Sequence, residues 1–147
     1  MLADPGGTNA ITNTIIGCGI KVHRHFGPGL FESAYLHCLV FELEEAKLTV
    51  EQGKAVPLVY RGVRLNAAYR LDLLVNGLVI VELKAVEALA PVHRSQMITY
   101  LKLTNCPVGL IMNFNAKVLK DGIIRVINAD CREIEPSRTD DEMHHPT

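Results

Sequence analysis

No apolar run in this chain approaches the roughly 20 residues that a membrane-spanning helix requires, so a membrane partner is not expected. Met1–Thr8 carries neither the basic flank nor the apolar stretch of a secretion signal, and the expectation is a cytoplasmic protein. The four cysteines, Cys18, Cys38, Cys106 and Cys131, are far apart and form no CxxC pair. That spacing argues against a thiolate zinc site and a redox motif, and leaves burial as small apolar groups as their expected role. The histidines form neither HxxxH nor HExxH; His23 and His25 are two apart, and His144 and His145 belong to an acidic tail. Internal repeats, long linkers and low-complexity tracts are also missing.

What is present is the balance of an ordinary globular protein, 48% apolar and 21% charged over 147 residues. That length suits one domain with a substantial core. The net charge of −1 conceals an uneven distribution. Residues 1–52 hold three Lys/Arg and six Asp/Glu, residues 53–132 eleven and five, and residues 133–147 one and five. The middle of the chain is therefore basic, with a net of +6, which is compatible with a polyanionic partner. The tail from Glu133 has few apolar residues and is expected to be disordered.

Apolar residues recur at helical spacing from Asn9 to about His25, and Gly27-Pro28-Gly29 ends that helix. A second helix is predicted from about Phe31 to Lys47. Strands are predicted at Ala55–Tyr60, Val63–Leu65, Tyr69–Val75 and Leu78–Lys84, with a turn at Arg61-Gly62. A third helix follows Ala90-Pro91 through about Thr104. Two more strands, Val108–Asn113 and Ile123–Ile127, close the pattern, with Asp121-Gly122 as their turn. Hairpins imply antiparallel pairing, and a helix before the Val108 strand permits a crossover to a parallel neighbour. The fold class is α/β of the α+β kind, a mixed central β-sheet flanked by helices.

Three places carry chemistry. On the second helix, Glu32 falls within the stripe formed by Leu36, Leu39, Leu43 and Ala46, where a carboxylate must be paired, protonated or bound to metal. The alternative is that Glu32 lies in the first turn, complements the helix dipole and stays in water. On the strand ending at Lys84, alternation puts Glu82 and Lys84 on one face and Val79, Val81 and Leu83 on the other. An acid and a lysine are out of character after so apolar a run, although a strand emerging into water would also show them. On the third helix, Gln96 shares a stripe with Leu89, Val92, Tyr100 and Leu103, so a buried amide with local or site partners is expected.

Asp72 joins Glu82 only if the intervening turn allows it. A two-residue Asn76-Gly77 loop would pair Val75 with Leu78 and put Asp72 on the wrong face. A three-residue loop, Val75-Asn76-Gly77 with Gly77 left-handed in a bulge, would pair Leu74 with Leu78 and set Asp72 diagonally beside Glu82. The functional reading predicts the bulged turn. Asp72 and Glu82, with Glu32 as a ligand or outer acid, would then form a hard oxygen site suited to Mg²⁺ or Mn²⁺. Such a metal acts on phosphodiesters, with Lys84 orienting water or stabilising charge.

The sequence resembles the GxxExxY family, a branch of the PD-(D/E)XK nuclease-like superfamily. The resemblance rests on Gly29-Leu30-Phe31-Glu32-Ser33-Ala34-Tyr35, the Gly27-Pro28-Gly29 entry and Tyr60-Arg61-Gly62. It extends through Tyr69-Arg70-Leu71-Asp72, Val81-Glu82-Leu83-Lys84, Gln96 with Tyr100-Leu101, and Gly109-Leu110 leading to Asn113-Phe114. These motifs cover roughly residues 10 to 128, and Leu71 stands where the superfamily name has proline. The resemblance implies a restriction-endonuclease-like core spanning residues 1–132, with Asp72 as the motif aspartate and Glu82-Leu83-Lys84 as the acid-x-lysine. Glu32 and Gln96 match family positions that line the same site. The resemblance itself leaves activity open; with all the acidic and lysine positions intact, the expectation is a metal-dependent nuclease acting on DNA in preference to RNA, a homodimer being compatible with cutting two strands. The alternative it leaves is a non-catalytic nucleic-acid- or protein-binding module that keeps the fold.

Overall fold

The computed structural model describes residues 4–132; the expected acidic tail, 133–147, lies outside the described residues. Helices α1 (Asn9–Phe26) and α2 (Glu32–Glu45) are followed by strands β1 (Val50–Tyr60), β2 (Val63–Val75) and β3 (Val79–Lys84). Helix α3 (Pro91–Thr104) then leads to β4 (Val108–Asn113) and β5 (Ile123–Ile127), with a short 3₁₀ turn at Leu119–Gly122 between them. The strands lie in chain order, β1-β2-β3-β4-β5, in one sheet. Among the described residues only the β3–β4 pair is parallel, because α3 carries the chain back across the sheet before β4 begins.

Two apolar layers follow from strand alternation. Val79, Val81 and Leu83 pack with Val108, Leu110 and Met112 beneath Ile15, Tyr35, Leu39 and Leu43 of α1 and α2. Ile80 and Ile111 face the other way and pack with Met97, Tyr100 and Leu101 of α3. β3 is thus covered on both sides, which explains its unbroken apolar run. Gly109 is what lets α3 lie so close, since a β-carbon there would stand 2.3 Å from the Met97 sulfur.

The Gly27–Tyr35 segment is tied together by one phenol. The Tyr35 hydroxyl donates to the Gly27 carbonyl and accepts from the Leu30 N–H, while its ring stacks on Phe114 at 4.7 Å. Within Gly29–Tyr35, Tyr35 therefore fixes the entry to α2 and leaves Glu32 as the first residue of that helix.

Several boundaries differ from expectation. β1 begins at Val50 rather than Ala55, because it is an edge strand whose exposed residues Glu51, Gln52 and Lys54 mask its pairing with β2. Pro57 is tolerated at that edge. The two predicted segments at 63–65 and 69–75 form a single strand, with a register shift opposite Pro57/Leu58. Of the four cysteines only Cys106 is fully buried; Cys18, Cys38 and Cys131 are half-buried free thiols.

Candidate active site

The turn between β2 and β3 decides the geometry. Asn76 and Gly77 both have left-handed backbones, φ 52° and 67°, as a tight Asn-Gly turn demands, and the Leu78 N–H donates to the Val75 carbonyl. Asn76 also accepts from the Thr49 N–H through its side chain and donates to the Thr49 carbonyl, which anchors the turn to the start of β1. Val75 nevertheless pairs with Val79, so the connection is three residues long and the extra residue is Leu78. The expected pairing of Leu74 with Leu78 is thus corrected by two residues. The physical reason is that both turn residues take positive φ, which moves the bulge to the far side of the turn. Continuing the Leu73–Val81 register, Asp72 lies directly opposite Glu82 rather than diagonal to it.

At that point the ladder opens. The backbone N–H of Asp72 donates to Glu82 Oε1 at 3.0 Å, and the N–H of Leu83 donates to Asp72 Oδ2 at 2.9 Å. Each carboxyl thus takes a main-chain hydrogen from the opposite strand, and side chains replace the backbone pairing that ends at Leu73–Val81. Asp72 faces Gly53, whose φ of 60° interrupts β1 there. The two-residue alternation of β2 breaks at the same place, since Leu71 packs with Leu74 in the α3 layer.

Glu82 is 7% exposed and Asp72 is half-buried. Burial, and next the negative charge of Asp72, push the Glu82 carboxyl up to about 8. The Asp72 N–H and the Lys84 ammonium pull the other way without overcoming these effects. Lys84, two residues on, is half-buried on the same face.

The other two expected residues are placed differently. Glu32 is exposed in the first turn of α2. Phe31 before it is extended, so the stripe has already run past the core by the time it reaches Glu32; Tyr35, Leu39 and Leu43 do the burying. Gln96 is exposed rather than buried, because the inward face of α3 is Met97, Tyr100 and Leu101, about one residue round from the expected stripe. It lines a shallow hollow of about 320 Å³ with Tyr69, Val92, Ser95 and Thr99. The start of α3 is secured by Pro91 and by His93, whose Nδ1 accepts from the Ala90 N–H. Among the described residues no three His, Cys, Asp or Glu side chains converge, so the structure joins Asp72 to Glu82 but does not bring Glu32 to them.

Two further residues belong to the surroundings. Tyr100 is buried against the carboxylates: burial first, then Glu82, Asp72 and Tyr69, raise its phenol above the ordinary value, and its ring meets Tyr69 edge-on at 5.7 Å. Asn113, paired with Lys84 across β3–β4, is buried, with its amide oxygen accepting from the Val86 N–H and its NH₂ donating to the Val86 carbonyl. It fixes the path of the chain leaving Lys84. The sequence placed Tyr100 on the stripe of Gln96 and in a short motif, and Asn113 in a motif alone; an asparagine ending an apolar strand was the available signal for Asn113.

An acidic pair set on two strands of a mixed sheet, with a lysine two residues on, is the arrangement of a nuclease core. A family model described as the PD-(D/E)XK nuclease superfamily matches residues 9–126, and the chain belongs to that superfamily. Neither a search of curated proteins nor one of solved structures finds a match.

Proposed function

We propose that this chain is a Mg²⁺- or Mn²⁺-dependent nuclease of the GxxExxY branch, acting on DNA in preference to RNA through one nuclease-like domain over residues 1–132. The observation that carries this reading is the Asp72–Glu82 pair, two carboxyls locked opposite each other by main-chain N–H groups although burial and the charge of Asp72 disfavour ionisation of Glu82. Such an arrangement is costly for structure alone. It fits a divalent cation, because a hard cation would offset the second negative charge that burial and Asp72 disfavour on Glu82. When bound, the cation supplies Lewis acidity toward the phosphodiester.

The protein's own groups divide the remaining work. Asp72 and Glu82 would hold the cation. Lys84 orients the attacking water or neutralises charge that develops on the phosphorane. Glu32, exposed at the helix terminus and apart from the pair, would reach the site only through water or bound substrate, and Gln96 would contact the substrate from the hollow on α3. Asn113 and Tyr100 are positioning residues for Lys84 and Glu82.

The separation of Glu32 from the pair favours one competing reading, a non-catalytic binding module that keeps the fold. Incubation with single- and double-stranded DNA and RNA, in Mg²⁺, Mn²⁺ or chelator, separates the two. Metal-dependent cutting that is lost in Asp72→Ala and Lys84→Ala supports the nuclease. Binding without cutting, unchanged in both variants, supports the module and overturns the proposal.

A further inference from the structure

β1 and β2 run on where β3 stops. β3 pairs with β2 only over Leu73–Val75, whereas β1 and β2 stay paired out to Tyr60–Val63. Since Asp72 lies opposite Glu82, residues 63–71 of β2 lead past the end of β3 at which the carboxyl pair and Lys84 sit. The result is a two-stranded ribbon, closed by a turn at Arg61-Gly62 with φ of 52° and 78°. Its base is held to α3 through Tyr69 against Tyr100 and Val56 in the α3 layer. Among the described residues no element covers its outer part, and Val59, Tyr60, Val63 and Leu65 are 56%, 63%, 57% and 40% exposed.

The charge of this ribbon is one-sided. Residues 54–70 contain Lys54, Arg61, Arg64 and Arg70 and no Asp or Glu. Lys54 pairs with Glu51, and Arg70 donates to the Gly53 carbonyl. Arg61 and Arg64, at the tip, form no ion pair among the described residues, and both are exposed. At the same end of the sheet, Arg24, Lys117 and Lys120 line a hollow of about 440 Å³ beside the segment that follows β4.

We infer that the β1–β2 ribbon is a duplex-binding arm that lies in a groove of double-stranded DNA and holds a phosphodiester against Asp72, Glu82 and Lys84. An antiparallel ribbon has the width of the major groove, arginines at its tip meet the backbone phosphates, and the exposed apolar side chains meet sugars and thymine methyls. A duplex is favoured over a single strand because the charge and exposed surface lie on a narrow ribbon rather than on an aromatic-lined channel. This inference rests on the nuclease reading but names a different part of the molecule, so the two can fail separately.

The test uses the full chain with the double variant Arg61→Asn and Arg64→Gln; asparagine tolerates the left-handed turn position, so the ribbon is preserved. Binding of a labelled DNA duplex is measured in Ca²⁺ over a range of salt, beside hydrolysis of the small diester bis(p-nitrophenyl) phosphate in Mn²⁺. Loss of two phosphate contacts should lower the slope of log K against log salt by about 1.8 and weaken duplex binding roughly ten- to a hundred-fold near 0.1 M salt. Small-diester hydrolysis and thermal stability should not change. If the chain hydrolyses no diester but the variant still loses duplex affinity, the nuclease reading fails and the arm stands. Unchanged duplex affinity and slope would overturn the arm, as would single-stranded DNA binding more tightly than duplex. So would sedimentation showing a dimer that the two substitutions dissociate, which would assign the ribbon to a second copy of the chain.

Discussion

Replacing Glu82 by glutamine should make the cation-free protein more stable at high pH. The Glu82 carboxyl is displaced from 4.5 to about 8 by burial and by Asp72. At about 1.4 kcal/mol per tenfold change in proton affinity, ionising it costs the fold up to roughly 5 kcal/mol, a figure that belongs to the pair. The sign follows from which state holds the proton. Below about pH 4.5 both folded and unfolded chains keep it, so this group adds no pH dependence. Between there and about pH 8 only the folded chain keeps it, so stability falls as pH rises; above that the loss is complete. Urea unfolding in chelator at pH 5, 7 and 9 measures this directly. The wild type should lose several kcal/mol across the series, and Glu82→Gln, which keeps the shape and removes the ionisation, should lose far less. Adding Mg²⁺ at a hundred times its Kd should restore about 2.7 kcal/mol to the wild type at pH 9 and much less to the variant. Superimposable pH profiles for the two proteins, or a variant weaker than wild type at pH 9, would refute the reasoning.

Lys84→Ala should lower kcat on DNA by roughly 10²–10³-fold while Mn²⁺ affinity, read by calorimetry, changes little. Tyr35→Phe leaves the Gly27 carbonyl and Leu30 N–H without their partner and should cost about 1–3 kcal/mol in chemical denaturation, with the pH dependence set by Glu82 intact. Asn113→Ala frees the Val86 N–H and removes one of two donors to the Val86 carbonyl, Asn115 supplying the other, and should cost roughly 1–3 kcal/mol. Its kcat should fall further than that of Tyr35→Phe, because Val86 lies two residues beyond Lys84.

The parts of this molecule that were legible in its sequence are those where local pattern and tertiary environment agree. The periodicity of Asn9–His25, the Pro91–Thr104 helix and the apolar strand before Glu82 all gave elements close to those observed. Residues 50–54 did not read as strand, because an edge strand needs no apolar face on its solvent side. The requirement that Asp72 share a face with Glu82 could be framed from alternation and turn chemistry. Its register could not, since Asn76 and Gly77 suit a tight turn whichever neighbour forms the bulge. Helical-wheel geometry left Glu32 open between the core stripe and a solvated first turn, and the structure shows the latter; it misplaced Gln96, because a wheel cannot tell which of two adjacent stripes on α3 meets the sheet. Asn113 was visible only as a motif member, because its clasp on Val86 joins residues 27 apart.

The central claim is that the proton held on Glu82 by burial and by Asp72 keeps the place of a divalent cation. Calorimetric titration of Mn²⁺ into the protein at pH 7, repeated in buffers of different ionisation enthalpy, reports both ion stoichiometry and protons released. The account expects one ion per chain at this site, release of close to one proton with it, and loss of both in Asp72→Asn. Binding that releases no proton, or that survives unchanged in Asp72→Asn, would contradict it.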